Sequence, residues 1–261
     1  MKPNNPFILS SYYSPEYFCN RHDETLKAIN ALKNGRNITL FSIRRMGKTG
    51  LIEHIFQKLK KDKQVQSIYI DILPTMNLSD FINIFAQSVF GKLESKPELF
   101  FKKIGDLFSN LRPIISYDQY TGLPNIQLDI QTNREAAQSL EQIFNYLKKS
   151  NKQIIIALDE FQQIIKYSEK NVEAILRANI QKANNINFIF SGSQKHLLIS
   201  MFSEYGSPFY QSTEMMHLEK IQPSSYIKFI KTKFKKAEKQ IEDKQIHFIP
   251  SSFRSSTKFT S

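Results

Sequence analysis

The sequence predicts an α/β fold in which helices cover both faces of a doubly wound parallel sheet. Three observations predict it. Two short, continuous apolar runs, Ile38-Thr39-Leu40-Phe41-Ser42-Ile43 and Ile154-Ile155-Ile156-Ala157-Leu158, suit strands buried on both faces. Each ends in a turn dense with charged or small residues. Between the apolar runs the spacing of hydrophobic residues switches to helical, and strands alternating with helices call for a parallel sheet.

The elements follow in order. After the first strand, Leu51, Ile52, Ile55, Phe56 and Leu59 fall on one helical face; before the second, Ala136, Ala137, Leu140, Ile143, Phe144 and Leu147 do the same. Residues 67–72 and 186–190 read as further strands, with a weaker one at 215–218. Residues 114–130 differ. Tyr117-Asp118-Gln119-Tyr120-Thr121-Gly122-Leu123-Pro124 is a turn between alternating segments, hence an inserted β-hairpin, bounded at about 113–131. A final helix is expected over 224–244, with Ile227, Ile230, Phe234, Ala237 and Ile241 as its apolar stripe. Its other face carries Lys228, Lys231, Lys235 and Lys239, with Lys233 and Lys236 close by. The Ser-, Thr- and Lys-rich residues 250–261 read as an unstructured tail.

The turn after the first strand carries chemistry. Ser42-Ile43-Arg44-Arg45-Met46-Gly47-Lys48-Thr49 matches the phosphate-binding pattern G-x-x-x-x-G-K-[ST], with Ser42 in place of the first glycine. Such a loop points backbone N–H groups at phosphates and opens a helix, here at Gly50, whose N-terminus favours negative charge. Lys48 is suited to the β- and γ-phosphates of ATP and Thr49 to a Mg²⁺ ion. Ser42 enters positive φ less cheaply than glycine, so an altered first turn is expected. The second strand ends in Asp159-Glu160, at the strand end where such sheets bind ligands. Asp159 suits Mg²⁺ and Glu160 the activation of water, which points to hydrolysis. The sheet is therefore of the P-loop NTPase type, in the class with an additional catalytic Glu. Ser193, in Ser191-Gly192-Ser193-Gln194, is a candidate γ-phosphate sensor. Arg177 is a candidate arginine finger toward a neighbouring subunit, and Asp71 a candidate site-lining carboxylate.

Composition bounds the rest. A chain of 261 residues with 41% hydrophobic content and 32 Phe and Tyr side chains can bury one sizeable core. The net charge of +12 suggests polyanionic partners, nucleotide or nucleic acid, or a solubilising surface. The single cysteine, Cys19, excludes an internal disulfide and fits a reducing compartment. No apolar stretch approaches the roughly 20 residues that span a bilayer, and the N-terminus leads into no signal-peptide core. A cytoplasmic protein without a membrane partner is expected. The five histidines show no metal-ligand spacing.

At these residues the sequence resembles the prokaryotic AAA-like P-loop ATPases of the archaeal-ATPase/STAND type. The likeness is carried by Phe18-Cys19-Asn20-Arg21-His22-Asp23-Glu24, then Arg44-Arg45-Met46-Gly47-Lys48-Thr49, then Leu158-Asp159-Glu160-Phe161-Gln162, then Phe188-Ile189-Phe190-Ser191-Gly192-Ser193-Gln194. The resemblance implies that Arg21 approaches the adenine side of the nucleotide. It divides the chain into an ATPase core over 1–220 and a helical segment over 221–249, the start of a truncated helical or winged-helix region. The expected function is an ATP-hydrolysing switch or motor core acting through a protein partner or as a homo-oligomer. A DNA-binding ATPase of loader or repair type, a small-molecule kinase and a nucleotide-binding scaffold with little turnover stay open. Asn151-Lys152-Gln153-Ile154 lacks the final Asp of the guanine-reading pattern, which argues against a GTPase.

Overall fold

The computed structural model describes residue 7 and residues 12–94, 97–111, 113–117, 124–242 and 245–246. Five parallel strands form the main sheet: β1 (Ile38–Phe41), β2 (Val65–Asp71), β5 (Gln153–Asp159), β6 (Ile186–Gly192) and β7 (Glu214–His217), in the spatial order β2-β5-β6-β1-β7. β3 (Ile114–Tyr117) and β4 (Pro124–Gln127) pair antiparallel as a separate two-stranded sheet, the expected hairpin. Its turn at 118–123 and the tail at 250–261 lie outside the described residues.

The continuous apolar runs are continuous because β1, β5 and β6 are covered on both sides. Ile38, Leu40, Ile155, Ala157 and Ile189 pack with α1 (His22–Lys33) and α2 (Lys48–Leu59). On the opposite face Ile154, Ile156, Leu158, Phe188 and Phe190 join α3 (Leu78–Leu93), α4 (Pro97–Phe108), α5 (Asn133–Lys148) and α6 (Val172–Gln181). Alternate residues of one strand thus feed two cores, as pleating requires. Phenylalanines dominate the second core; Phe161, Phe190, Phe202 and Phe209 contact one another and lock α7 (Lys195–Ser203) against the strand ends. α5 opens on a capping box between Thr132 and Glu135.

The last helix is shorter than its periodicity suggests. α8 runs Pro223–Lys236, so Ala237 and Ile241 of the expected stripe lie beyond it. Glu238 takes a left-handed conformation at φ 57°. Lys239 N then donates to Phe234 O and Glu238 N to Lys235 O, a Schellman closure built without glycine. Lys233 also departs from expectation: it is buried, donates to Glu16 O at 2.6 Å and lies 4.3 Å from the Tyr17 ring centroid. Its aliphatic stem joins the packed face of the helix. Among the described residues no helix is long and apolar enough to cross a membrane.

Candidate functional site

The loop 42–47 connects the C-terminal end of β1 to the first residue of α2. Its left-handed positions are Arg45 (φ 65°) and Gly47 (φ 85°); Ser42 is not one of them. The departure from the phosphate-loop pattern at position 42 therefore needs no unusual first turn. Ser42 is fully buried, and its hydroxyl donates to Ile43 O at 3.1 Å. The backbone strain sits at Arg45, where a Cβ makes the conformation costly. Gly47 turns the chain into the helix.

Lys48 is buried, with its ammonium 3.3 Å from Ser42 O and 3.5 Å from Ile43 O. Desolvation holds its pKa below the ordinary lysine value, opposed by the carboxylates of Glu160 and Asp159 and assisted by Arg44. A buried ammonium held by two carbonyls, in a helix start with no acidic residue in its first turn, is an anion-seeking arrangement.

Asp159 ends β5 and is buried. Its Oδ2 accepts from Thr49 Oγ1 at 2.9 Å and from Tyr69 OH at 2.6 Å, and its Oδ1 from Glu160 N at 3.0 Å. A hydroxyl and a carboxylate oxygen in direct contact, with no ammonium or guanidinium within 4 Å of the carboxylate among the described residues, are hard oxygen ligands. They fit a divalent ion such as Mg²⁺ that also binds phosphate oxygens. Glu160 follows in a left-handed conformation at φ 55°, which turns its side chain away from the strand direction. Its Oε2 accepts from Ser193 Oγ at 2.8 Å and from Gln162 Nε2.

Gly192 explains Gln162. The Gln162 side chain is buried against β6, and a Cβ at Gly192 would lie 2.0 Å from its Oε1. Gln162 and Gly192 stand in the strings 158–162 and 188–194, but their contact was not legible and comes from packing; Tyr69 was not legible as part of the site at all and reaches it through strand register.

The other candidates divide. Ser193 joins the site, bonded to Glu160. Asp71 sits in register with Asp159 at the end of β2. Burial raises its pKa, with Asp159 and Glu160 adding to the rise against the hydrogen bond from Leu73 N. Arg21 is buried beside the loop; its guanidinium donates to Met46 O at 3.2 Å, to Glu219 O at 2.6 Å and to Glu24 at 2.8 Å. It ties the start of α1 to the phosphate loop and to the exit of β7. Arg177 is on α6, its Nε buried with no hydrogen-bond partner among the described residues. Gly50 sits in the first turn of α2, where Phe18 packs 3.5 Å from its Cβ position.

A parallel sheet with β1 between β6 and β7, a Gly-Lys-Thr loop opening α2, and an acidic pair ending the neighbouring strand define a P-loop ATPase domain. Residues 18–249 match the model of a family described as an ATPase domain predominantly from Archaea, and the chain belongs to that family. Solved structures agree on the fold. The Walker-type ATPase PABY2304 of Pyrococcus abyssi is similar at 20% identity and a TM-score of 0.62, over 93% of this chain and 65% of that one. The Aeropyrum pernix ORC2 protein in its ADPNP–ADP complexes is similar at 17% identity and a TM-score of 0.59, over 90% of this chain and 56% of that one. The Aeropyrum pernix ORC1 protein in complex with DNA is similar at 13% identity and a TM-score of 0.55, over 85% and 51%. The chain thus spans between about half and two thirds of the length of these structures. A comparison with curated proteins finds no match.

Proposed function

We propose that this domain binds ATP with Mg²⁺ in the loop 42–50, hydrolyses it, and passes the resulting change to a partner, as a switch or motor core. The observation that carries the reading is the Thr49–Asp159 hydrogen bond, which joins the phosphate loop to the acidic strand end with Glu160 beside it. In this reading Lys48 neutralises the β- and γ-phosphates, and Thr49 and Asp159 hold Mg²⁺, which supplies charge neutralisation when bound. Glu160 takes the proton of the attacking water once Ser193 and Gln162 release its Oε2. Ser193, so placed, is suited to exchange Glu160 for the γ-phosphate. Arg21 acts by holding the loop rather than by touching the base directly. The ATPase core is assigned to 1–220 and the helical segment to 221–249, in a cytoplasmic setting.

The test pairs two variants. Lys48→Ala should weaken ATP binding or turnover at least about tenfold, ~1.4 kcal/mol. Glu160→Gln should bind ATP about as well as the parent and lose turnover in kcat. Unchanged affinity and turnover in Lys48→Ala would remove the assignment of the loop. A parent with ATP affinity and no turnover would leave a nucleotide-binding scaffold.

A second reading, a DNA-binding ATPase, is favoured by α8. Lys228, Lys231 and Lys235 lie on its exposed face at helical spacing, on a chain of net charge +12.

A further inference from the structure

β2 is an edge strand. β5 pairs with one side of it, and among the described residues no strand pairs with the other. Along that open side runs a groove of ≈ 730 Å³. Val65, Gln66 and Ser67 all line it. The lining joins α2 on one face of the sheet to Lys92 of α3 on the other, so the groove crosses the edge of β2 near its start, where Gln66 Nε2 donates to Lys92 O at 3.2 Å. Phe56 and Gln57 of α2 form one wall, and Lys92 of α3 stands across the edge. An edge strand of this kind leaves its outward N–H donors and C=O acceptors without a strand partner among the described residues, the template that an added strand completes.

Its charge is selective. Lys60, Lys63, Lys92 and Lys152 line the groove against Glu53 and Asp62, and none of the four lysines is ion-paired among the described residues. Lysines beside an open edge repel a second copy of that edge and attract an acidic strand. A phosphate backbone would satisfy the lysines, but its oxygens only accept, so the strand's carbonyls would stay unmet. A polypeptide returns both donors and acceptors.

The groove also touches the nucleotide site. The Tyr69 ring lines it, and the Tyr69 hydroxyl donates at 2.6 Å to the Asp159 oxygen that Thr49 also bonds. A segment packed against Tyr69 would shift the hydroxyl that fixes the carboxylate.

We propose that the β2 edge docks an extended acidic segment of a partner polypeptide as a sixth strand, and that Tyr69 couples this docking to Asp159. The coupling rests on the reading of the domain as an ATPase acting through a partner; the docking does not. The probe is a fluorescein-labelled nonapeptide of alternating Glu and Val, titrated onto the full chain without nucleotide at low salt and followed by anisotropy. Saturable binding is expected, weakened at least tenfold when alternate peptide nitrogens are N-methylated. A similar loss is expected with Lys60→Glu, Lys63→Glu and Lys152→Glu combined. Absent binding, or equal binding by the triple variant and by the methylated peptide, overturns the docking. Tighter binding of an oligothymidylate, lost in the same triple variant, overturns it in favour of nucleic acid. For the coupling, saturating peptide should change the parent's ATP turnover at least twofold, and the change should vanish in Tyr69→Phe. Bound peptide with unchanged parental turnover, or an equal change in Tyr69→Phe, overturns the coupling alone. Because the binding arm needs no turnover, a domain that fails to hydrolyse ATP is distinguishable from a β2 edge that fails to dock.

Discussion

Replacing Gly192 with Ala adds one methyl group at the point where β6 meets Gln162. Gly192 has no left-handed φ, so the backbone accepts alanine; the conflict is steric. The added Cβ would lie 2.0 Å from Gln162 Oε1, 3.1 Å from Gln162 Cδ and 2.9 Å from Leu198 Cδ1. Two of these are closer than any sustained carbon contact, and Gln162 is only 2% exposed, so the amide cannot swing freely into water. Overpacking of this kind costs about 1–3 kcal/mol, and expelling Gln162 also removes its hydrogen bond to Glu160. In a chain of this size each kcal/mol lowers Tm by about 2–4 °C, so Gly192→Ala should melt about 2–12 °C below the parent by calorimetry. Turnover should change too, because Glu160 keeps only Ser193. The diagnostic is the double variant: Gln162→Ala removes the clashing atoms, so Gly192→Ala added to it should cost less than half of what it costs in the parent. Equal costs in both backgrounds, or a Gly192→Ala protein as stable as the parent, would refute the close approach of Gln162 to β6.

Other expectations follow from the same geometry. Lys48→Met should stabilise the nucleotide-free chain in urea titration while abolishing ATP binding, because it removes a buried ammonium. Lys48's native pKa lies below its ordinary 10.5. The unfolded chain therefore holds more protons in the window between the two values, and the parent's stability rises with pH there. The advantage of Lys48→Met should accordingly be full below that window and shrink as pH approaches 10.5; an advantage constant with pH would contradict it. Arg21→Ala should cost about 3 kcal/mol, the scale of one or two charged hydrogen bonds lost, and Arg21→Lys should recover only part of it in the same denaturation assay. If α8 grips DNA, combining Lys228→Gln, Lys231→Gln and Lys235→Gln should lower the salt slope of binding by up to about three units without changing ATP affinity.

What the sequence made legible is what lies close together along it. Lys48, Thr49, Asp159 and Glu160 could be read because phosphate-loop chemistry is written in a contiguous string and the acidic pair directly follows its strand. Tyr69 could not, nor could the contact that joins Gln162 to Gly192. Tyr69 reaches Asp159 only because β2 and β5 pair in a register that sets Tyr69 beside Ala157, two residues before it. The length of α8 was overestimated for a related reason: periodicity continues to Ile241, and the left-handed stop falls on Glu238, which carries none of glycine's signature. Lys233 read as a solvated charge because residue type suggests exposure, whereas Tyr17 and Glu16, far away in the chain, give its stem and ammonium a place to pack.

The strand order has a consequence for synthesis. β1 pairs with β6 on one side and β7 on the other, and Arg21 closes the loop by bonding Glu219, 198 residues away. A ribosome adding about 5–20 residues per second makes His217 about 9–35 s after Phe41. For about the first 145 residues after Phe41 the nascent chain carries β1 without either neighbour; β6 then becomes available, and the β7 side stays open until His217 is made. The domain should therefore lean on chaperones early in translation and become responsive to ATP only once Asp159, Glu160 and Ser193 have been made.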